Sequence, residues 1–217
     1  MNFAPGPPLA CLLLSFTFLA CAPPNHVTPA GSVHPSIPPS LVSPKGAPPP
    51  VVAKRIIVID ASDGKVLVAK NADEKCAVAS TQKLMTALLV SEAGSLHDPV
   101  VIQSSDTLVE PTKLYLKTGH KYTRGQLLKA ILVRSANDAS VALARDVAGS
   151  VQRFAQLMTL RARSLGMSNS VFLNPHGLTQ KGQYSTARDI AKLARQAYQQ
   201  PSIRSSLTIR NYNFIHN

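Results

Sequence analysis

Proline placement decides which part of this chain can fold. Thirteen of its 17 prolines fall in residues 1–50, a stretch with one charged side chain, Lys45, and no acid. Proline withholds a backbone donor and blocks helix interiors and central strands, so this stretch cannot build a core. Residues 51–217 hold the other four prolines and all 11 acids. They are rich in Leu, Ile, Val and Ala in periodic runs, which excludes a disordered chain. Their length suits one ordinary domain and rules out two. No apolar run reaches the roughly 18 residues of a spanning helix, which excludes a polytopic membrane protein.

Within the first fifty residues, Leu9–Ala20 (LACLLLSFTFLA) is an apolar block ending in small residues. It matches the hydrophobic core of a secretory signal peptide, without the usual basic n-region. Two processing readings compete over residues 1–21. Ala20-Cys21-Ala22 fits an A-x-A cleavage site followed by Pro23; Phe18-Leu19-Ala20-Cys21 fits a lipobox, with Cys21 lipidated as the mature N-terminus. Residues 22–50 are Pro/Ser/Ala-rich and nearly uncharged, and read as an extended linker of ~3.1 Å per residue. Cys11 leaves with the signal, Cys21 is lipidated or lost, and Cys76 is left without an intrachain partner. The expected location is the periplasm or the outer face of the envelope, with a lipid anchor where Cys21 is modified.

Beyond residue 50 the elements read as follows. Arg55–Asp60 and Lys65–Lys70, around Ala61-Ser62-Asp63-Gly64, spell a β-hairpin. Ser80–Ala93 is a helix stopped by Gly94. Thr123-x-x-Gln126 is a capping box opening a second. A third runs from Asn137 to Ala148 before Gly149. Ser150 opens a fourth, with Phe154, Leu157, Met158 and Leu165 inward. Thr186-x-x-Asp189 caps a fifth, with Ile190, Leu193, Ala194, Ala197 and Tyr198 on one stripe and Pro201 as its stop. Leu207–Ile215 reads as a strand, because Tyr212, Phe214 and His216 alternate. Strands, a helical block and a final strand make an α+β or mixed three-layer fold rather than alternating βαβ units.

Two short patterns carry chemistry. Ser80-Thr81-Gln82-Lys83 is S-x-x-K at a helix start, and positions i and i+3 share a helical face. A serine hydroxyl is a weak nucleophile until a neighbouring base takes its proton, and a deprotonated lysine can serve. That lysine must be desolvated or set beside other cations to be neutral near pH 7. Free N–H groups of the helix start would lie beside the hydroxyl, where an oxyanion develops. Ser135-Ala136-Asn137 is S-x-N at a junction of two helices; it reads either as a helix cap or as a proton shuttle and an orienting amide.

Taken in order, Ala79–Thr86 (ASTQKLMT), Leu127–Ala144 (LLKAILVRSANDASVALA), Leu165–Met167, Phe172–Leu178 (FLNPHGL) and Tyr184–Asp189 (YSTARD) resemble the low-molecular-mass penicillin-binding proteins that are serine D-alanyl-D-alanine carboxypeptidases. The resemblance covers residues 54–216. It implies the penicillin-binding, β-lactamase-like fold: an antiparallel sheet flanked by helices in three layers. It implies Ser80 as acyl-enzyme nucleophile, Lys83 as its general base, Ser135 as a second catalytic residue and Asn137 as a substrate-binding one. The implied substrate is the peptidoglycan pentapeptide, whose terminal D-Ala is trimmed, and β-lactams are the implied covalent inhibitors.

The family's third motif, K-T-G, would lie downstream of residue 217. Residues 51–217 are therefore expected to be a D,D-peptidase domain incomplete at its C-terminus, with the final strands missing. Lys117-Thr118-Gly119 lies upstream of Ser135 and reads as a decoy in a loop. The alternative function is a catalytically impaired homologue that binds wall peptide or acts as a structural module; transfer to an amine instead of water is a third. The six histidines show no metal-binding spacing, and neither a metal nor a cofactor is expected. Residues 51–217 carry 22 basic against 11 acidic side chains, a balance suited to anionic wall polymers or lipid head groups. The export signal and the lack of a binding motif speak against nucleic acid.

Overall fold

A computed structural model describes residues 51–216. The signal-peptide, Cys21 and linker expectations lie outside the described residues. The hairpin forms as the sequence predicts: β1 (Ile56–Ile59) pairs antiparallel with β2 (Val66–Lys70), Ile57 opposite Ala69. Its turn is closed locally. Asp60 N–H donates to the Lys65 carbonyl and Gly64 N–H to the Asp60 carbonyl, both at 2.8 Å. The Asp60 carboxylate also accepts from Ser62 N–H.

The helical block is α1 (Lys83–Glu92), α2 (Arg124–Val133), α3 (Asn137–Ala148), α4 (Val151–Ser164), α5 (Ala187–Tyr198) and α6 (Pro201–Leu207). Helix α1 is the hub, packing against all five others. Its sequence is apolar nearly all round, as a helix enclosed by neighbours must be, and Met85, Ala87, Leu88 and Val90 are fully buried. The capping box of α2 forms, with Gln126 N–H donating to Thr123 Oγ1 and Thr123 N–H to Gln126 Oε1. Gly149 ends α3 in the left-handed region. Ser150 and Thr186 cap α4 and α5. Helix α5 packs on both α1 and β1, and Arg195 ties it to the hairpin turn through the Ala61 and Ser62 carbonyls.

Several expectations are corrected. The first helix does not start at Ser80: Ala79–Gln82 is a 3-10 turn, and regular α geometry begins at Lys83. Pro201 does not simply stop α5; it opens α6 at a first-turn position, where its missing N–H costs nothing. Leu157 is 40% exposed, since Phe154, Ala155, Met158 and Ala162 form the inner face of α4. Tyr198 is 51% exposed at the end of the α5 stripe. Residues 208–216 are not a strand; they pair with no strand among the described residues.

Two elements have no sequence counterpart above. Strands β3 (Pro99–Val101) and β4 (Lys121–Thr123) make a second two-stranded ribbon, and a 3-10 turn occupies Ser104–Leu108. That turn carries buried Asp106, which receives two hydrogen bonds from Arg145 of α3, at 2.9 and 2.8 Å. The fold class is α+β as expected, with the sheet represented by the hairpin and this ribbon.

Candidate active site

Ser80 and Lys83 meet at the start of α1. Lys83 Nζ lies 3.1 Å from Ser80 Oγ and donates to the carbonyl of His176 at 2.8 Å. The lysine is 3% exposed. Burial pushes its pKa down from 10.5 to about 8, because an ammonium ion loses more hydration than a neutral amine. No carboxylate opposes that shift, so about a tenth of Lys83 is neutral at pH 7, and that neutral amine can accept the Ser80 proton.

The segment Leu173–Leu178 forms the other wall. Asn174 folds it: its Oδ1 accepts from Gly177 N–H at 2.8 Å, and its Nδ2 donates to the Leu178 carbonyl at 2.9 Å. Side chains of α1 and of the 3-10 turn before it hold it in place. Thr86 Oγ1 donates to the Pro175 carbonyl at 2.6 Å, and Gln82 Nε2 donates to the Asn174 carbonyl. Gly177 has φ +91° and lies directly on the backbone of Ala79 and Ser80. His176 Nδ1 accepts from Leu178 N–H at 3.2 Å, so the proton of the neutral ring sits on Nε2. Burial, with a smaller contribution from the Lys83 charge, pushes the His176 pKa down from 6.5 to about 4.

The S-x-N motif lies at the α2–α3 junction, and α3 packs on α1. Ser135 is half-buried with φ +55°, an unfavourable backbone for a residue with a Cβ. Its hydroxyl makes no hydrogen bond among the described residues, to Ser80 and Lys83 included. Asn137 is held instead by the preceding loop: its Nδ2 donates to the Pro111 carbonyl at 2.5 Å and its N–H to the Thr112 carbonyl at 2.8 Å. Asp138, fully buried, accepts from Leu114 and Leu116 N–H. The loop 111–116 is thereby fastened to the N-terminus of α3. Left-handed φ values recur at Ala79, Thr112, Tyr115 and Ser135, flanking both motifs. Lys117-Thr118-Gly119 lies in an exposed turn leading into β4.

Sequence reasoning pairs Ser80 with Lys83 and quotes the FLNPHGL stretch, yet gives no role to Gln82, Asn174 or Gln183. Their signal is a set of amide side chains, Gln82 within the S-x-x-K run, Asn174 within FLNPHGL and Gln183 just after it, legible only once those runs are known to touch. No group of three or more His, Cys, Asp or Glu side chains fit to hold a metal ion occurs among the described residues.

A serine one helical turn from a desolvated lysine is an arrangement suited to acyl transfer. The chain belongs to the D-alanyl-D-alanine carboxypeptidase family, whose model it matches over residues 43–217. It is 38% identical over 156 residues to the D-alanyl-D-alanine carboxypeptidase DacF of Bacillus subtilis, covering 70% of this chain and 40% of the relative. It is 39% identical over 158 residues to DacC of Escherichia coli, covering 68% of this chain and 40% of that protein. Among solved structures it resembles penicillin binding protein 6B from Escherichia coli (TM-score 0.72, 29% identity, 78% of this chain and 58% of that one). A D-alanyl-D-alanine carboxypeptidase from Mycobacterium tuberculosis is similar (TM-score 0.71, 30% identity, 75% and 62%). The chain thus spans about 40% of the length of the curated relatives it matches.

Proposed function

We propose that this chain carries the acyl-enzyme centre of a serine D-alanyl-D-alanine carboxypeptidase that acts on peptidoglycan stem peptides. The observation that carries the reading is the buried Lys83 amine 3.1 Å from the Ser80 hydroxyl. Neutral Lys83 takes the Ser80 proton as Oγ bonds to the carbonyl carbon of the penultimate D-Ala. One Lys83 N–H remains on the His176 carbonyl, which leaves the lone pair free to turn toward Ser80. Collapse of the tetrahedral adduct breaks the peptide bond, and terminal D-Ala leaves once its nitrogen is protonated. Ser135, whose hydroxyl makes no hydrogen bond among the described residues, passes that proton on from Lys83, and the Asn137 amide orients the peptide. Water then cleaves the ester by the reverse proton route. A β-lactam enters the same first step and stays as the ester.

Incubation of the chain with a labelled penicillin tests this. The expected result is one adduct by intact mass, mapped to Ser80 and absent in Ser80→Ala. An unmodified Ser80 would overturn the reading.

The apolar block Leu9–Ala20 supports export across the membrane, and the run ending at Cys21 supports lipidation there. In cells, Cys21→Ala should move the protein from the membrane to the soluble fraction; an unchanged distribution rejects the lipid anchor in favour of plain secretion.

A further inference from the structure

We propose that Gln183 is a positioning residue for the Ser80–Lys83 pair, locking the Leu173–Leu178 segment over the lysine so that water is kept from its amine. The inference rests on the acyl-enzyme reading above. Gln183 Oε1 accepts from Leu173 N–H at 3.0 Å, Asn174 N–H at 3.2 Å and Gln82 Nε2 at 3.3 Å, while its Nε2 donates to the Leu178 carbonyl at 3.0 Å. One side chain therefore holds both ends of the segment whose middle presents the His176 carbonyl to Lys83. The same amide reaches Gln82, which lies between Ser80 and Lys83 in sequence and is fully buried. Asn174 shapes the segment from within; Gln183 joins it to the turn that bears the nucleophile.

Lys83 is tuned by burial, so its basicity depends on how tightly that segment sits. The groups facing it are neutral: Ser80 from its own element and His176 from the segment. The carboxylates on α1 and on the helices packed against it are engaged elsewhere. Asp138 binds Leu114 and Leu116, Asp146 pairs with Arg124, Glu92 with Arg161, and Asp189 accepts from Asn169 and Ser170. Loosening the segment admits water and returns the amine toward its ordinary value.

The test is competitive acetylation of Lys83 by acetic anhydride, read by peptide mass across neutral to alkaline pH, with exposed Lys129 as reference in the same sample. Wild type should show an inflection near 8. In Gln183→Met, which keeps the side-chain length and removes its polar atoms, the inflection should rise by at least about half a pH unit. Such a rise lowers the neutral amine at pH 7, and the rate of penicillin acylation with it, about threefold. Gln183→Asn, with the amide on a shorter stem, should shift the same way by less, and carries the test should the methionine variant not fold. A folded variant with an unchanged inflection overturns the positioning role. Labelling needs no turnover, so a Ser80 that never acylates would sink the acyl-enzyme reading without disturbing this measurement.

Discussion

A Cβ placed on Gly177 would sit 2.0 Å from the carbonyl oxygen of Ala79 and 2.5 Å from its carbonyl carbon. The wall of the site and the turn that presents Ser80 are thus in backbone-to-backbone contact, closer than any side chain allows. Gly177→Ala should force the two apart and strain φ +91° as well. We expect a loss of roughly 3 kcal/mol or more in urea unfolding. Gly119→Ala is the comparison: φ is +86°, nothing lies within 4 Å of the added carbon, and the cost should be about 1 kcal/mol. Equal losses at the two positions would show that the close approach contributes nothing.

Lys83 makes a prediction in which stability and acylation rise together with pH. Between about 8 and 10.5 the unfolded chain keeps a proton that the folded chain has released, so stability rises with pH through that window. Below it the cost of burying the ammonium is present in full. Wild type should therefore gain on Lys83→Met, by on the order of 2 kcal/mol, from neutral pH to about pH 10. Penicillin acylation of wild type should climb across pH 8 as the neutral amine accumulates. A flat stability difference, or acylation that falls through pH 8, contradicts this account of the lysine.

His176 acts at the acid end. Its folded pKa of about 4 lies below the unfolded 6.5, so its contribution is present above 6.5 and is lost as pH falls toward 4. The ring keeps some solvent contact, so the loss is at most about 2 kcal/mol. His176→Asn can still accept from the Leu178 N–H and has nothing to protonate in that window. Unfolding midpoints of wild type and variant should converge as pH drops from 6.5 to 4. Parallel curves would mean that the ring is not held neutral by the fold.

The legible features were those built from neighbours in sequence. The Asp60–Gly64 turn, the Thr123–Gln126 capping box and the Ser80–Lys83 pair span four or five residues each, so spacing alone predicts them. Contacts across the chain were not legible. Lys83 and His176 lie 93 positions apart, and nothing in either motif says they touch. The β3–β4 ribbon has three residues per strand, too few for a periodic signal. Tyr212, Phe214 and His216 mimic a strand because their alternation serves a different contact. Phe214 stacks on Tyr122 at 5.0 Å between centroids, with Tyr212 and His216 edge-on to it. Pro201 is ambiguous by nature, since proline both follows helices and begins them.

Asp138 provides the last prediction, on the S-x-N side of the site. Its buried carboxylate accepts from Leu114 N–H at 3.0 Å, Leu116 N–H at 3.2 Å and Ala139 N–H at 2.9 Å. Asp138→Asn replaces one acceptor oxygen by an NH2 group that cannot receive any of them. At least one buried N–H is left unpaired, and a bond to a charged acceptor is lost, which together cost about 2–4 kcal/mol. The amides of Leu114 and Leu116 should then exchange with solvent faster than the core of α1, because the loop 111–116 loses its fastening to α3. Asn137 leans on the Pro111 and Thr112 carbonyls of that loop. A penicillin should therefore acylate Ser80 more slowly in Asp138→Asn even under conditions where the variant is fully folded. Fast acylation together with accelerated exchange at Leu114 and Leu116 would show that the loop does not hold Asn137 for substrate.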